Sequence, residues 1–168
     1  MHTYLIGWCS VVPKIKVAII GVGNCASALV QGVHYYRHVD KEAEALGLGR
    51  LLLGGYHPRD IEFVSAFDID DRKVGKDLSE AVFSKPNTAV KLSNVPRLNV
   101  PVLKGPVLDG VGDYLKGVVR ISESREVDVA EKLRESGAEI VVNLLPSGAV
   151  NASRWYAEEV LKARCAFI

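Results

Sequence analysis

The sequence is poor in cysteine: Cys9, Cys25 and Cys165 are its three in 168 residues. An odd, sparse and widely spaced set does not build a disulfide scaffold. It fits a reducing compartment, so a cytoplasmic location is expected. Long apolar runs are missing too. No stretch reaches the ~20 residues that a membrane-spanning helix needs, so no membrane partner is expected. The apolar start, residues 1–12, has no basic opening and no A-x-A-like cleavage site, which argues against an export signal. It reads instead as a strand, a packing arm or expression-derived residues, within an N-terminal extension spanning 1–13. Net charge is close to nil: 21 basic residues against 20 acidic ones leave +1. That balance removes any general electrostatic draw to nucleic acid or to an anionic membrane. A Walker A sequence and a G-x-S-x-G nucleophile elbow are both absent, as are internal repeats and low-complexity segments. What is present, 48% hydrophobic and 24% charged residues, is the composition of a globular domain long enough for a real core.

Periodicity predicts strands alternating with helices. Residues 14–20 read as a buried strand broken by glycines, and a helical pattern runs from about 25 to 47. That helix would place Ala28, Leu29, Gly32, Tyr35 and Tyr36 on one broad face. Residues 61–67 read as a second strand, followed by the acidic helix entry Asp68-Ile-Asp-Asp71 and a helix over 73–83. Pro86, Pro96, Pro101 and Pro106 break the stretch 84–112 into loops with one or two short strands, and Asp109-Gly110 marks a turn. A helix over 127–136 closes on Gly137. Residues 139–145 form another apolar strand, 146–148 a turn, and 150–164 an amphipathic helix with Trp155, Val160 and Leu161 inward. A last strand starts at Cys165, where the run stops with no turn after it, so the sheet is expected to be incomplete at that end. Near-continuous apolar strands predict an α/β fold, a doubly wound Rossmann-like parallel sheet covered on both faces, over residues 14–168.

The chemical signal is Val17-Ala-Ile-Ile-Gly-Val-Gly-Asn-Cys-Ala26, which reads G-x-G-x-x-A between a strand and a helix. Gly21 permits the tight turn, and Gly23 lets the backbone approach a pyrophosphate. Ala26 lets the helix pack close to the strand, and the helix N-terminus offers its N–H groups to phosphates. Asn24 and Ser27 are candidates for further hydrogen bonds. Cys25 is either a thiol activated by the helix dipole or a small residue packed beneath the cofactor. Asp68, at the end of the second strand, is the candidate acceptor for the adenosine ribose hydroxyls, which favours NAD over NADP. Asp70 and Asp71 compete for that role, and Arg72 and Lys73 leave NADP open. Asn143, Leu145, Pro146 and Ser147 lie where a strand end would border the nicotinamide half of the cofactor. The alternative is a plain connection with Ser147 capping the next helix. His34 and His38 have the i, i+4 spacing of metal ligands. Nothing obvious completes such a site, so no metal is assigned and the pair is read as part of an aromatic cluster with Tyr35 and Tyr36. Lys76 and Asp77 read as a solvated helix face or as functional. No acid–base constellation stands out.

The glycine loop, together with Gln31-Gly-Val-His-Tyr-Tyr36, Gly54-Gly-Tyr-His57, residues 60–70 and Lys73-Val-Gly-Lys-Asp-Leu-Ser-Glu80, resembles archaeal and bacterial myo-inositol-1-phosphate synthases. Gly105-Pro-Val-Leu-Asp-Gly110 and Val142-Asn-Leu-Leu-Pro146 fit the same pattern in the same order. The resemblance runs from about Lys14 to Ile168, and departs from it in the Pro146-Ser-Gly-Ala149 loop and in the length of the N-terminal extension. It implies an NAD-dependent isomerase of inositol and phospholipid biosynthesis, an inositol-3-phosphate synthase. Glucose 6-phosphate would be oxidised at C5, enolised, closed between C6 and C1 in an aldol step, and reduced to 1L-myo-inositol 1-phosphate. It also implies a tetramer, and catalytic residues in a second domain that this sequence does not contain. The isolated chain is therefore expected to bind NAD without turnover. The competing expectations are another NAD(P)-dependent oxidoreductase and a non-catalytic NAD-binding module.

Overall fold

The computed structural model describes residues 13–45, 47–112 and 117–168. The N-terminal extension, apart from its last residue, lies outside them. Five parallel strands form one sheet: β1 (Ile15–Ile20), β2 (Ile61–Asp68), β3 (Val102–Lys104), β4 (Ile140–Asn143) and β5 (Ala166–Phe167), in the order β3-β2-β1-β4-β5. The chain moves outward from β1 to one edge, then returns to the other side of β1. This is the doubly wound arrangement, with its reversal between β1 and β4.

Alternation along β1 explains the two cores. Val17 and Ile19 face one layer, with Val30, Val33, Phe63, Leu78 and Val82; Ala18 and Ile20 face the other, with Phe67, Leu133, Val141 and Val160. The first layer contains α1 (Asn24–Tyr36) and the one-turn α2 (Leu78–Ala81); the second contains α3 (Val129–Ser136) and α4 (Val150–Lys162). Because both faces are covered, the central strand β1 is a continuous apolar run from Val17 to Ile20 rather than alternating. Each large aliphatic side chain buried there contributes roughly 1.5–3 kcal/mol.

α3 follows its local signals closely. Asp128 accepts the Glu131 N–H at 2.8 Å as N-cap, and Gly137 takes the left-handed C-cap conformation at φ 66°. The first helix departs from expectation. It ends at Tyr36, and only a single 3₁₀ turn follows, at Glu42–Glu44. Its buried residues are Ala26, Ser27, Val30, Gln31 and Val33, whereas Ala28 and Tyr35 of the expected face are exposed. The reason is a polar side chain in the core. Gln31 donates to Ser27 Oγ and to the Val90 carbonyl, and it accepts the Leu92 and Ser93 N–H groups. A fully bonded amide is buried at little cost, and periodicity read from apolar residues misses it.

The expected helix over 73–83 contracts to Leu78–Ala81 for a similar reason. Asp77, read as solvated, is buried. Its Oδ1 accepts the Ser79 and Leu98 N–H groups and the Ser79 hydroxyl, and its Oδ2 accepts the Val100 N–H. The carboxylate starts the helix and holds the strand-like segment 98–100 at once. Burial pushes its pKa up, but the Ser79 hydroxyl and the three N–H donors outweigh that and hold it below the ordinary value. In α4, Val160 is buried and Trp155 half-buried, but Leu161 is exposed, so the inward stripe is narrower than expected. His34 and His38 meet edge to face, 5.8 Å between ring centroids, and no metal-binding cluster occurs among the described residues. No described helix is long and apolar enough to cross a membrane.

Candidate functional site

The site lies at the carboxyl ends of β1, β2 and β4. β1 stops because Gly21 turns the chain at φ +86°, its N–H donating to the Phe67 carbonyl at 2.8 Å. A Cβ at Gly21 would stand 2.9 Å from the Leu144 carbonyl oxygen, so neither the conformation nor the space admits a side chain. Gly23 is different. A Cβ there would meet nothing within 4 Å, which leaves an open cradle in front of α1. Gly23 is also the N-cap of α1, with no side-chain acceptor on the first turn and no acidic residue in it. The positive end of this 13-residue helix is therefore not offset by a carboxylate of its own. The other long helix contrasts with it. At α4, Asp109 reaches over to accept the Asn151 and Ala152 N–H groups at 2.7 and 2.8 Å. Those N–H bonds hold the Asp109 carboxyl below its usual pKa, and they fill the capping place that the sequence alone offered to Ser147.

Asp68 ends β2 beside the glycine loop. Its Oδ2 accepts the Val22 N–H at 2.7 Å, and its Oδ1 accepts the Ile69 and Asp70 N–H groups at 2.7 and 2.9 Å. The Lys73 ammonium stands 3.7 Å from Oδ2. Of the two rival carboxylates, Asp71 is exposed, and Asp70 is fully buried in a bidentate pair with Arg72. Burial raises the Asp70 pKa, yet the Arg72 guanidinium and N–H overcome this and hold it below normal. Arg72 also donates to the Val118 carbonyl at 2.5 Å, which leaves its charge committed away from Asp68.

One crevice gathers Gly21, Gly23, Asp68, Leu145 and Pro146 of the expected set. The others sit around it. Ala26 is buried under the loop, and Ser27 is buried against Gln31. Asn24 ties the start of α1 to residues 88–89, its Oδ1 accepting the Thr88 and Ala89 N–H groups. Cys25 is an exposed free thiol on the first turn. Asn143 shapes the turn after β4, donating to Ser153 Oγ and accepting the Leu145 N–H. Ser147 is exposed and outside the crevice.

Sequence reasoning missed Pro106, Leu108, Val119 and Tyr156, which also line the crevice, and named Lys73 only as a residue that leaves NADP open. Pro106 and Leu108 follow β3, so the rule that ligands sit at strand carboxyl ends would have found them. Tyr156 looked like any inward residue of an amphipathic helix. Burial, with the nearby charges of Asp68 and Glu126, pushes its phenol far above the usual pKa, so it stays protonated. It packs so tightly against Gly105 that a Cβ there would lie 1.8 Å from the hydroxyl.

No protein-family profile matches the sequence. Individual proteins do. Over 155 residues the chain is 46% identical to an inositol-3-phosphate synthase of Mycolicibacterium smegmatis, a match covering 92% of this chain and 43% of that protein. It is 44% identical to the inositol-3-phosphate synthase of Mycobacterium tuberculosis H37Rv over the same length, and 44% identical to that of Corynebacterium glutamicum over 154 residues. The chain thus spans less than half the length of these relatives, 42–43%. Among solved structures, that of Ari2 is similar with a TM-score of 0.75 at 32% identity, covering 92% of this chain and 44% of that one. A myo-inositol-1-phosphate synthase-related protein of Thermotoga maritima gives 0.56 at 25% identity, covering 91% and 41%. The glycine loop, the strand order and these likenesses agree: over 92% of its own length, the chain is a relative of the inositol-3-phosphate synthases.

Proposed function

We propose that the crevice binds NAD and that the chain is the NAD-binding portion, residues 14–168, of an inositol-3-phosphate synthase. One arrangement carries the reading: an uncapped helix N-terminus behind an open Gly23, with the Asp68 carboxylate at the end of the adjacent strand. The α1 amide groups would meet the pyrophosphate, and Gly23 would let it come close. Oδ1 of Asp68 already takes two donors and Oδ2 takes one, so Oδ2 keeps room for a ribose hydroxyl. Leu145 and Pro146 would form an apolar wall for the nicotinamide half, on a turn held by Asn143. Asn24, Cys25, Ala26 and Ser27 would support the loop rather than all touch the ligand. Ser147 is the least well placed of the proposed set, being exposed and outside the crevice.

Bound NAD would supply reversible hydride transfer to and from the C5 position of glucose 6-phosphate. The whole protein would then carry out the isomerisation to 1L-myo-inositol 1-phosphate as a cytoplasmic homo-oligomer, a tetramer in the family pattern. The residues described around the crevice offer a protonated Tyr156 and an Asp68–Lys73 pair, but no nucleophile–base couple. On this reading the catalytic groups would lie in sequence that the relatives have outside the matched region, and the chain alone would not turn over sugar.

The test is isothermal titration of the folded chain with NAD and NADP, repeated on Asp68→Ala. Tighter binding of NAD, weakened at least about tenfold in the variant, supports the reading. A folded chain that binds neither nucleotide, or an Asp68→Ala chain that binds NAD unchanged, overturns it.

A further inference from the structure

Lys73 is a buried lysine with little to hold. It is 5% exposed, yet it lines the crevice, and among the described residues it is the one cation that does. Its contact with Asp68 at 3.7 Å is an ion pair too long for a hydrogen bond, and among the described residues its ammonium donates none. An ammonium has three N–H donors, and this one is not sealed in: its Nζ is not a buried unpartnered atom and opens onto the crevice, where oxygens of a ligand can meet those donors. The backbone fixes it there. The Lys73 and Val74 N–H groups both close on the Asp70 carbonyl, and the next residues are pinned to β3 through Gly75 to Val102 and Val102 to Lys76. The neighbouring cation is already engaged, since Arg72 is spent on Asp70 and Val118.

We infer that Lys73 is a ligand-binding and specificity-determining residue of the crevice, its ammonium donating to the oxygens of the adenosine ribose while Asp68 accepts from them. This rests on the dinucleotide reading above and deepens it. The two residues act as one device of opposite charges. With Asp68 ionised, the pair is neutral and a 2′-phosphate meets a carboxylate. Remove that charge, and Lys73 becomes a bare cation with three donors facing the position of a 2′-phosphate. The NAD preference is then set by a balance between two side chains rather than by Asp68 alone.

The experiment is calorimetric titration of NAD and NADP into the wild-type chain, Asp68→Asn, Lys73→Met and the double variant, each checked for folding by circular dichroism. Asp68→Asn is expected to shift the NADP-to-NAD affinity ratio about tenfold or more toward NADP. Adding Lys73→Met is expected to erase that shift. Lys73→Met alone leaves the three amide contacts of Asp68 intact, so it is the decisive variant if Asp68→Asn misfolds. It is expected to weaken NAD about tenfold without any gain for NADP. A shift that survives in the double variant overturns the inference, as does wild-type NAD affinity in a folded Lys73→Met chain. A folded wild-type chain that binds neither nucleotide overturns the dinucleotide reading and this inference together. NAD binding by the wild type with Lys73→Met unchanged overturns this inference alone.

Discussion

Oδ2 of Asp68 accepts the Val22 N–H at 2.7 Å, joining the last residue of β2 to the glycine loop across 46 positions of sequence. The same carboxylate is therefore both an anchor of the loop and a wall of the crevice. Loop shape and ligand recognition are coupled through it, and stability and binding measurements on the loop separate the two roles.

The two loop glycines should fail in different ways. Gly21→Ala meets a positive φ and the Leu144 carbonyl at 2.9 Å, so it should lower unfolding free energy by about 2 kcal/mol or more. Gly23→Ala meets open space and loses only a better N-cap residue, so it should cost no more than about 1 kcal/mol while abolishing NAD binding. Urea denaturation paired with calorimetric titration reads both. Equal stability losses in the two variants would contradict the distinction.

Gly105 and Tyr156 should be coupled. A Cβ at Gly105 lies 1.8 Å from the Tyr156 hydroxyl and 3.0 Å from the ring carbon that bears it. Gly105→Ala should cost about 1–3 kcal/mol through overpacking. Tyr156→Phe removes the nearer atom, so the double variant should recover part of that loss. A thermodynamic cycle with no coupling energy would show that the contact relaxes without cost.

Asp77 should make the fold acid-sensitive. Its pKa is lower in the folded chain than in the unfolded one, because its hydrogen bonds outweigh its burial. Its contribution is therefore complete above the unfolded value of about 3.9, and it is lost as pH falls through the lower folded value. Asp77→Asn puts an amide donor where acceptors are needed, and should destabilise by about 1–3 kcal/mol at pH 7. Denaturation curves from pH 7 down to about 3 should show the gap between variant and wild type narrowing at the acid end. A gap constant with pH would mean that the carboxylate's charge contributes nothing.

The legible parts were those encoded over short spans. β1 and β4 are apolar runs between clear breaks, and α3 ends at Gly137 as expected, though it starts two residues late, behind Asp128 as N-cap. Gly21, Gly23 and Asp68 stand out in the sequence because tight turns and strand ends restrict residue type strongly, and the fold brings them to one crevice. The first helix is shorter than its pattern suggests and leaves Ala28 and Tyr35 outside the core while Leu29 packs against it, because Gln31 hides a polar core position behind long-range hydrogen bonds to residues 90–93. Asp77 was misread because its partners Leu98 and Val100 lie more than twenty positions away.

By itself, the sequence determined the alternation of strand and helix, the parallel sheet buried on both faces, and the glycine turn that opens α1. All three follow from local propensity and from the period of the apolar residues. Only the tertiary structure decided which polar groups are buried with partners and which are left with donors to spare. It sent Asp109 to cap α4, tied Arg72 to Asp70, and brought Lys73 beside Asp68 in the crevice. Hydrogen-bond satisfaction depends on which atoms meet in space, and for these side chains that is settled when distant segments pack together.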